Sequence, residues 1–173
     1  RLSNLSPNDY MSLQAVERNA HNLLKLINDI LDLSKLEAGY LELHKQRLEV
    51  CTIVEEAVTQ IASLADSKPI EICMNLDENG LMIFADEQKL RQVTTNLLSN
   101  AIKYTDRGTI MVSTFQGNDE EVGQCAIISV QDTGVGVREE DMPLLFNKFT
   151  QLDGSAKRRS GGTGLGLAIT QEF

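Results

Sequence analysis

The sequence predicts an α+β fold: a two-layer α/β sandwich, with a mixed sheet covered by helices, preceded by one long bundle or coiled-coil helix. Three observations lead there. A heptad stripe runs from Leu13 to Ser34 and stops near Gly39. The hydrophobic period changes after Gly39. From there on, helical and strand-like segments alternate, as they do where helices are laid on a sheet. The expected boundary separates residues 1–39 from residues 40–173.

Each element follows from its own residues. Ser6 is placed to cap the first helix, and Pro7 suits its first turn. Leu13, Val16, Ala20, Leu23, Ile27, Ile30 and Ser34 alternate steps of three and four, with Leu24 and Leu31 widening the stripe. Glu17, Arg18, Asn22, Lys25 and Asp32 fill the polar side. A stripe this regular asks for a cover, in a bundle or a coiled-coil pair. Past Gly39, "YLELHKQRLEV" is strand-like. "IVEEAVTQIASLA" puts Ile53, Ala57, Ile61 and Leu64 on one helical face. "IEICMNL" alternates as a half-buried strand and "LMIFA" is a short one; Asp86 then caps the helix "EQKLRQVTTNLLSNAIKYT". "TIMVSTF" and "CAIISVQD" flank the turn-rich "QGNDEEVGQ" and read as an antiparallel pair.

Composition narrows the function classes. The chain of 173 residues is 42% hydrophobic and 24% charged, which supports a real core rather than disorder. A formal net charge of −9 argues against general nucleic-acid binding. It leaves room for an anionic small ligand where positive charge is local. Cys51, Cys73 and Cys125 have no CxxC spacing and read as reduced, intracellular and structural, which suits the cytoplasm. The longest apolar runs are too short to cross a bilayer, and no signal peptide is evident. The opening "RLSNLSPNDY" has no Met, so the expectation is a piece of something longer.

Four stretches carry candidate chemistry. In "NLLSNAIKYT", Asn96, Asn100, Lys103 and Tyr104 fall at i, i+4, i+7 and i+8 and so share a helical face. Val93, Leu97, Leu98, Ala101 and Ile102 turn to the core. Two amides and an ammonium in line suit phosphate and Mg²⁺, since an amide oxygen is a hard neutral ligand; an ordinary solvated face is the other possibility. In "VQDTGVGV", Asp132 ends a strand, with Gly134 and Gly136 at DxGxG spacing. Such a carboxylate can accept from the exocyclic amine of adenine; a plain glycine turn also fits. In "FNKFTQLDGSAKRRSG", Phe146 and Phe149 can pin one end of a loop. There Lys157, Arg158 and Arg159 bring positive charge to an acidic chain. Last comes "GGTGLGL". It contains neither GxxxxGK[ST] nor GxGxxG, which disfavours a P-loop and a dinucleotide fold. What remains is GxGLGL at a helix mouth, where backbone N–H groups can hold an anion.

In order, NxxxNAxKY, DxGxG, FxxF and GxGLGL resemble the ATP-binding domain of sensor histidine kinases, of the same superfamily as DNA gyrase B, Hsp90 and MutL. "LLKLINDILDLSKLEAG" looks like the second helix of the dimerisation and phosphoacceptor domain. "DLSKLEAG" and "FTQLDGSAKRRSGGTGLGL" look most like hybrid-type kinases. The resemblance implies ATP and Mg²⁺ as ligands. Asn100 would coordinate Mg²⁺, with Asn96 in the same box, and Lys103 and Tyr104 would contact phosphates or ribose. Asp132 would take the adenine amine, with Gly134, Gly136 and Val137 shaping the pocket. Phe146 and Phe149 would hinge a lid that carries Lys157, Arg158 and Arg159. Gly162, Thr163, Gly164, Leu165, Gly166 and Leu167 would form the last glycine box. The implied reaction is phosphoryl transfer from ATP to a histidine, then to an Asp of a response-regulator receiver domain. The full-length protein is expected to be a homodimer.

The sequence departs from that family twice. A His followed by an acid and R-T-P is not found, and the resemblance places it upstream of Arg1. His21, in "ERNAHNLL", lacks the motif's acid and proline and reads as structural or solvated, as does His44. The expectation is therefore no self-phosphorylation by this chain. The family's closing two-strand hairpin is also expected beyond Phe173. Two rivals stand beside the kinase. One is a nucleotide-binding module that signals without transfer. The other is a gyrase- or Hsp90-like ATPase, which needs an acidic residue to activate water where "TTNLLSNAIKYT" has none.

Overall fold

A computed structural model describes residues 6–151 and 163–173. The chain divides between Leu41 and Glu42 into two compact units. The first is built on helix α1 (Pro7–Glu37). Ser6 Oγ accepts the Asp9 N–H at 3.2 Å, and Asp9 Oδ2 accepts the Ser6 N–H at 3.0 Å, a reciprocal cap. The helix ends at Ala38, and Gly39 follows at φ +70°. Leu13, Val16, Leu23, Ile27 and Ile30 of the heptad stripe are exposed.

The second unit holds two sheets. Strand β1 (Lys45–Glu49) leads into helix α2 (Val50–Ala65), followed by β2 (Ile70–Asn75) and β3 (Met82–Asp86). Helix α3 (Glu87–Tyr104) connects to β4 (Gly108–Asp119) and β5 (Gly123–Asp132), and helix α4 (Gly166–Glu172) comes last. β1 and β3 pair antiparallel, Lys45 opposite Asp86. In the larger sheet β4 is central. It runs parallel to β2, with Ile70 opposite Gly108, and antiparallel to β5, with Ile110 opposite Asp132. The sheet is mixed, as expected.

The core lies between this sheet and helices α2 and α3. Val50, Val54, Ala57, Leu98, Ile110 and Val112 are fully enclosed, and Ile70, Ile72, Ile128 and Val130 pack against them from the sheet. Each buried Val, Leu or Ile stabilises the unit by about 1.5–3 kcal/mol relative to exposure. Leu64 does not join them; it is 57% exposed. The core stripe of α2 continues from Ile61 to Ala65, one turn on, and Leu64 falls off its edge.

α2 also starts earlier than expected. Its cap is Glu49, whose carboxylate accepts from the N–H groups of Cys51 (3.1 Å) and Thr52 (2.6 Å) and from the Thr52 hydroxyl. The Thr52 hydroxyl first, then the two N–H groups, hold the Glu49 carboxyl down at about 2, against the opposing effect of burial. Asp86 caps α3 as expected, accepting from Lys89 N–H at 3.1 Å. Burial pushes its carboxyl up, but the N–H groups of Lys89, His44 and Gln88 outweigh this and hold it below the usual range. The stretch "QGNDEEVGQ" is mostly strand rather than turn. Gly117, Asn118 and Asp119 pair with Cys125, Gln124 and Gly123. Asp119 Oδ1 closes the short reversal by accepting from Glu121 and Val122 N–H, at 2.9 and 3.1 Å.

Candidate functional site

The site starts at the C-terminal end of α3. A helix leaves its last four carbonyls without partners inside it, and here each finds one. Ala101 O accepts the Thr105 N–H at 3.0 Å, and Tyr104 O accepts the Val135 N–H at 3.3 Å. Lys68 Nζ donates to Ile102 O at 2.7 Å, to Lys103 O at 3.1 Å and, just past the helix, to Thr105 O at 2.7 Å.

The turn after β5 hangs on that helix end. Asp132 Oδ1 accepts the Gly134 N–H at 2.8 Å. Gly134 comes so close to α3 that a Cβ there would stand 2.5 Å from Tyr104 O and 2.7 Å from Asp132 Oδ1. Glycine is required here for space, not for its backbone angles. Thr133 fastens the turn to the start of β4. Its N–H donates to Thr109 O at 3.2 Å, and its Oγ1 accepts the Thr109 N–H at 3.0 Å. Asp132 is an exposed carboxylate held in a fixed place beside α3. Val135 and Val137 are exposed along the same turn, and Gly136 takes φ +68°. At the helix end, Lys103 Nζ lies 5.0 Å from the centre of the Tyr104 ring, a cation–π contact.

The middle of α3 meets α4. Asn96 Nδ2 donates to Gly166 O at 3.3 Å, and a Cβ on Gly166 would touch the Asn96 amide at 3.4 Å. Leu165, Ala168 and Ile169 are buried with it. This corrects the expectation of one polar face. Asn96 is 4% exposed, Asn100 and Lys103 are half-buried, and Tyr104 is exposed. The four residues are aligned as their spacing requires, but α4, seventy residues later in the chain, covers the first of them. Of the hydrophobic set, Leu98, Ala101 and Ile102 are buried, while Val93 and Leu97 are only half so.

Phe149 and the last glycines are also brought together. The Phe149 N–H donates to Gly164 O at 3.0 Å. Gly164 takes φ +69°, and a Cβ there would stand 2.8 Å from the Phe149 carbonyl carbon. Both its angle and its space exclude a side chain. Phe149 itself takes φ +60°, uncommon for a bulky residue. Thr163 Oγ1 accepts the Leu165 N–H at 3.2 Å, and Leu167 is half-buried. Phe146 and Phe149 expose their rings. Lys157, Arg158, Arg159 and Gly162 lie outside the described residues.

Sequence reasoning missed Lys68 and Thr133. Lys68 sits in "DSKPIE", thirty-four residues before the first carbonyl it binds, and no local spacing marks it. Thr133 lies inside the DxGxG stretch, where a β-branched hydroxyl between Asp and Gly was the available signal. His21 is exposed on α1 with Nδ1 3.1 Å from Glu17 O, and His44 is exposed too. Among the described residues, no helix is long and apolar enough to cross a membrane.

Known proteins share both this sequence and this shape. The family model of histidine kinase-, DNA gyrase B-, and HSP90-like ATPases matches residues 85–173, which span α3, the Asp132 turn and α4. The chain is 40% identical over 172 residues to the sensor protein GacS of Pseudomonas syringae pv. syringae, covering 99% of this chain and 19% of that protein. It is 37% identical over 173 residues to hybrid signal transduction histidine kinase L of Dictyostelium discoideum, covering 99% of this chain and 10% of that one. The chain thus spans a fifth or less of the length of these relatives. The crystal structure of full-length ShkA in complex with AMPPNP superposes with a TM-score of 0.78 at 29% identity, over 98% of this chain and 34% of ShkA. Sequence and fold agree: this chain is a member of the histidine kinase-, DNA gyrase B- and HSP90-like ATPase family, and its relatives there include a sensor protein and a hybrid signal transduction histidine kinase.

Proposed function

We propose that this chain is the ATP-binding catalytic part of a two-component sensor histidine kinase, which passes the γ-phosphoryl group of ATP to a histidine outside this chain. One observation carries the reading. Motifs scattered over about seventy residues are gathered around one helix, α3: the Asp132 turn is bonded to its C-terminal end, α4 is bonded to Asn96, and Phe149 is bonded to Gly164 just before α4. Asn96 and Tyr104 stand about 12 Å apart along the axis. That arrangement suits an elongated ligand, read as a base at one end and as phosphates at the other.

The residues fit such a ligand. Asp132 has one oxygen committed to Gly134 N–H and a second to receive the adenine amine, and the backbone at Gly136 is open, with nothing within 4 Å of an added Cβ. Val137, on the same turn, and Phe149, beside Gly164, offer exposed apolar surface. Lys103 and Tyr104 would contact phosphate or ribose. Thr163, Gly164, Leu165, Gly166 and Leu167 form the helix mouth for the phosphates, with Gly162, Lys157 and Arg158 as further phosphate contacts. Asn100, half-buried between the two ends, would supply an amide oxygen to Mg²⁺, whose charge would offset that of the phosphates. In the transfer the bond from the γ-phosphorus to the β–γ bridging oxygen breaks, an N–P bond to the acceptor forms, and ADP leaves. This chain's residues contribute by holding the base and aligning the triphosphate.

The exposed stripe of α1 supports a place in a helical bundle, with the phosphoacceptor helix and a homodimer mate as partners. A response-regulator receiver domain would take the phosphoryl group next. A cytoplasmic setting suits both ATP and the three free cysteines. The test mixes this chain with γ-labelled Mg-ATP, alone and with a separate polypeptide carrying the acceptor helices. Label is expected on the added polypeptide only, and unchanged by His21→Ala. Tight ATP binding with no transfer would favour the non-transferring module instead. Label on this chain that disappears in His21→Ala would overturn the assignment of His21.

A further inference from the structure

We infer that Lys68 is a positioning residue for nucleotide binding, acting through the C-terminal end of α3 without touching the ligand. This rests on the nucleotide reading above. Lys68 Nζ spends all three of its donors on carbonyls of Ile102, Lys103 and Thr105. Its side chain is 27% exposed, and Asp106 Oδ1, 3.9 Å away, is itself well exposed. A cation at a helix C-terminus opposes the negative end of the macrodipole. Here it does more, because it binds the carbonyls on both sides of Tyr104. The carbonyl it leaves free, Tyr104 O, is the one that receives Val135 N–H and sets the Asp132 turn. The ammonium therefore divides the helix end into two parts, one for itself and one for the turn. Without it, Ile102 O and Lys103 O must find other donors, and the frayed end would carry Lys103, Tyr104 and the Asp132 turn out of register.

Lys68 lines an open cleft with Ala62, Ala65, Asp66, Ile70 and Ile72. Its hold on α3 is through the ammonium's three bonds. Lys68→Met keeps the stem and removes the donors. Lys68→Arg keeps a multiple donor and serves as the rescue.

The experiment measures Mg-ATP affinity by calorimetry, and amide hydrogen exchange without nucleotide, for the 173-residue chain. Lys68→Met should weaken binding about tenfold, the scale on which packed contacts couple two sites. It should also speed exchange at the Val135 and Thr105 amides, and Lys68→Arg should recover most of both. An Ile61→Val control, which removes one buried methyl group from α2, should lower the melting temperature and leave affinity unchanged. Wild-type affinity in Lys68→Met, or unchanged exchange at Val135, would overturn the inference. So would a loss no larger than that of a control equally destabilised. If Lys68→Met does not fold, Lys68→Leu, which also lacks a donor, takes its place, with the same outcomes. Absence of Mg-ATP binding by the folded wild type would sink the nucleotide reading itself, whatever the exchange data show.

Discussion

Replacing Gly134 by alanine tests the docking of the Asp132 turn on α3. The new methyl carbon would stand 2.5 Å from Tyr104 O, 2.7 Å from Asp132 Oδ1 and 2.9 Å from the Tyr104 carbonyl carbon. An ordinary contact begins at 3.4 Å, so the turn must move away by about 0.9 Å. Two of the three obstacles are backbone atoms of a helix end, which yield poorly. Overpacking of this kind costs about 1–3 kcal/mol. The bonds Val135 N–Tyr104 O and Gly134 N–Asp132 Oδ1 are weakened at once, each worth about 1 kcal/mol. A total near 3 kcal/mol should lower the melting temperature by about 10 °C in a unit of this size. The carboxylate moves with the turn, so Mg-ATP affinity should fall about tenfold or more, as when a charged hydrogen bond is lost. The comparison is Gly123→Ala, at φ +74° with nothing within 4 Å of the added carbon. It carries only left-handed strain of about 1–2 kcal/mol and should leave affinity unchanged. Wild-type melting and wild-type affinity in Gly134→Ala would refute the steric argument. Equal affinity losses in the two variants would show that stability, not position, controls binding.

Two further predictions separate charge from geometry. Asp132→Asn keeps an oxygen for the Gly134 N–H but loses the negative charge, so calorimetry should show weaker Mg-ATP binding with nearly unchanged melting. An equal loss of both would mean that Asp132 serves the turn alone. Glu49→Gln weakens the cap of α2 and should cost about 1 kcal/mol at pH 7, read by urea unfolding. The Glu49 carboxyl lies at about 2 in the folded chain against 4.5 when free, so its contribution is complete above pH 4.5 and lost as pH falls through about 2. The gap between wild type and Glu49→Gln should close over that window, and a gap independent of pH would refute the assignment.

The elements that were legible in the sequence are those whose signals are local. The heptad steps and the Ser6 cap marked α1, the Asp86 cap marked α3, and period-2 alternation marked the strands. Glu49 was missed because glutamate seldom caps a helix; here Thr52 folds back to meet it. The β4–β5 reversal was drawn too long because Gly117, Asn118 and Asp119 are poor strand formers. Pairing with β5 overrides that preference, and Gly117 leaves room for the Ile127 side chain, whose Cδ1 would stand 2.4 Å from a Cβ. At the site, spacing correctly aligned Asn96, Asn100, Lys103 and Tyr104. It could not show that α4 buries the first of them or that Lys68 binds the last turn. Both contacts join residues more than thirty apart, and such pairs leave no trace in a local pattern.

The parallel pairing of β2 with β4 has a kinetic consequence. A hairpin such as β4–β5 closes on itself, but parallel neighbours require a crossover, and α3 is part of it. The crossover topology predicts that β2 settles beside β4 together with the docking of α3, so that the slow, non-local step of folding includes the helix that carries Asn96, Asn100 and Tyr104. In a refolding experiment followed by pulsed hydrogen exchange, the α3 amides should gain protection together with β2, after the β4–β5 hairpin. A nascent chain would then acquire this site only when the whole sheet has closed around it.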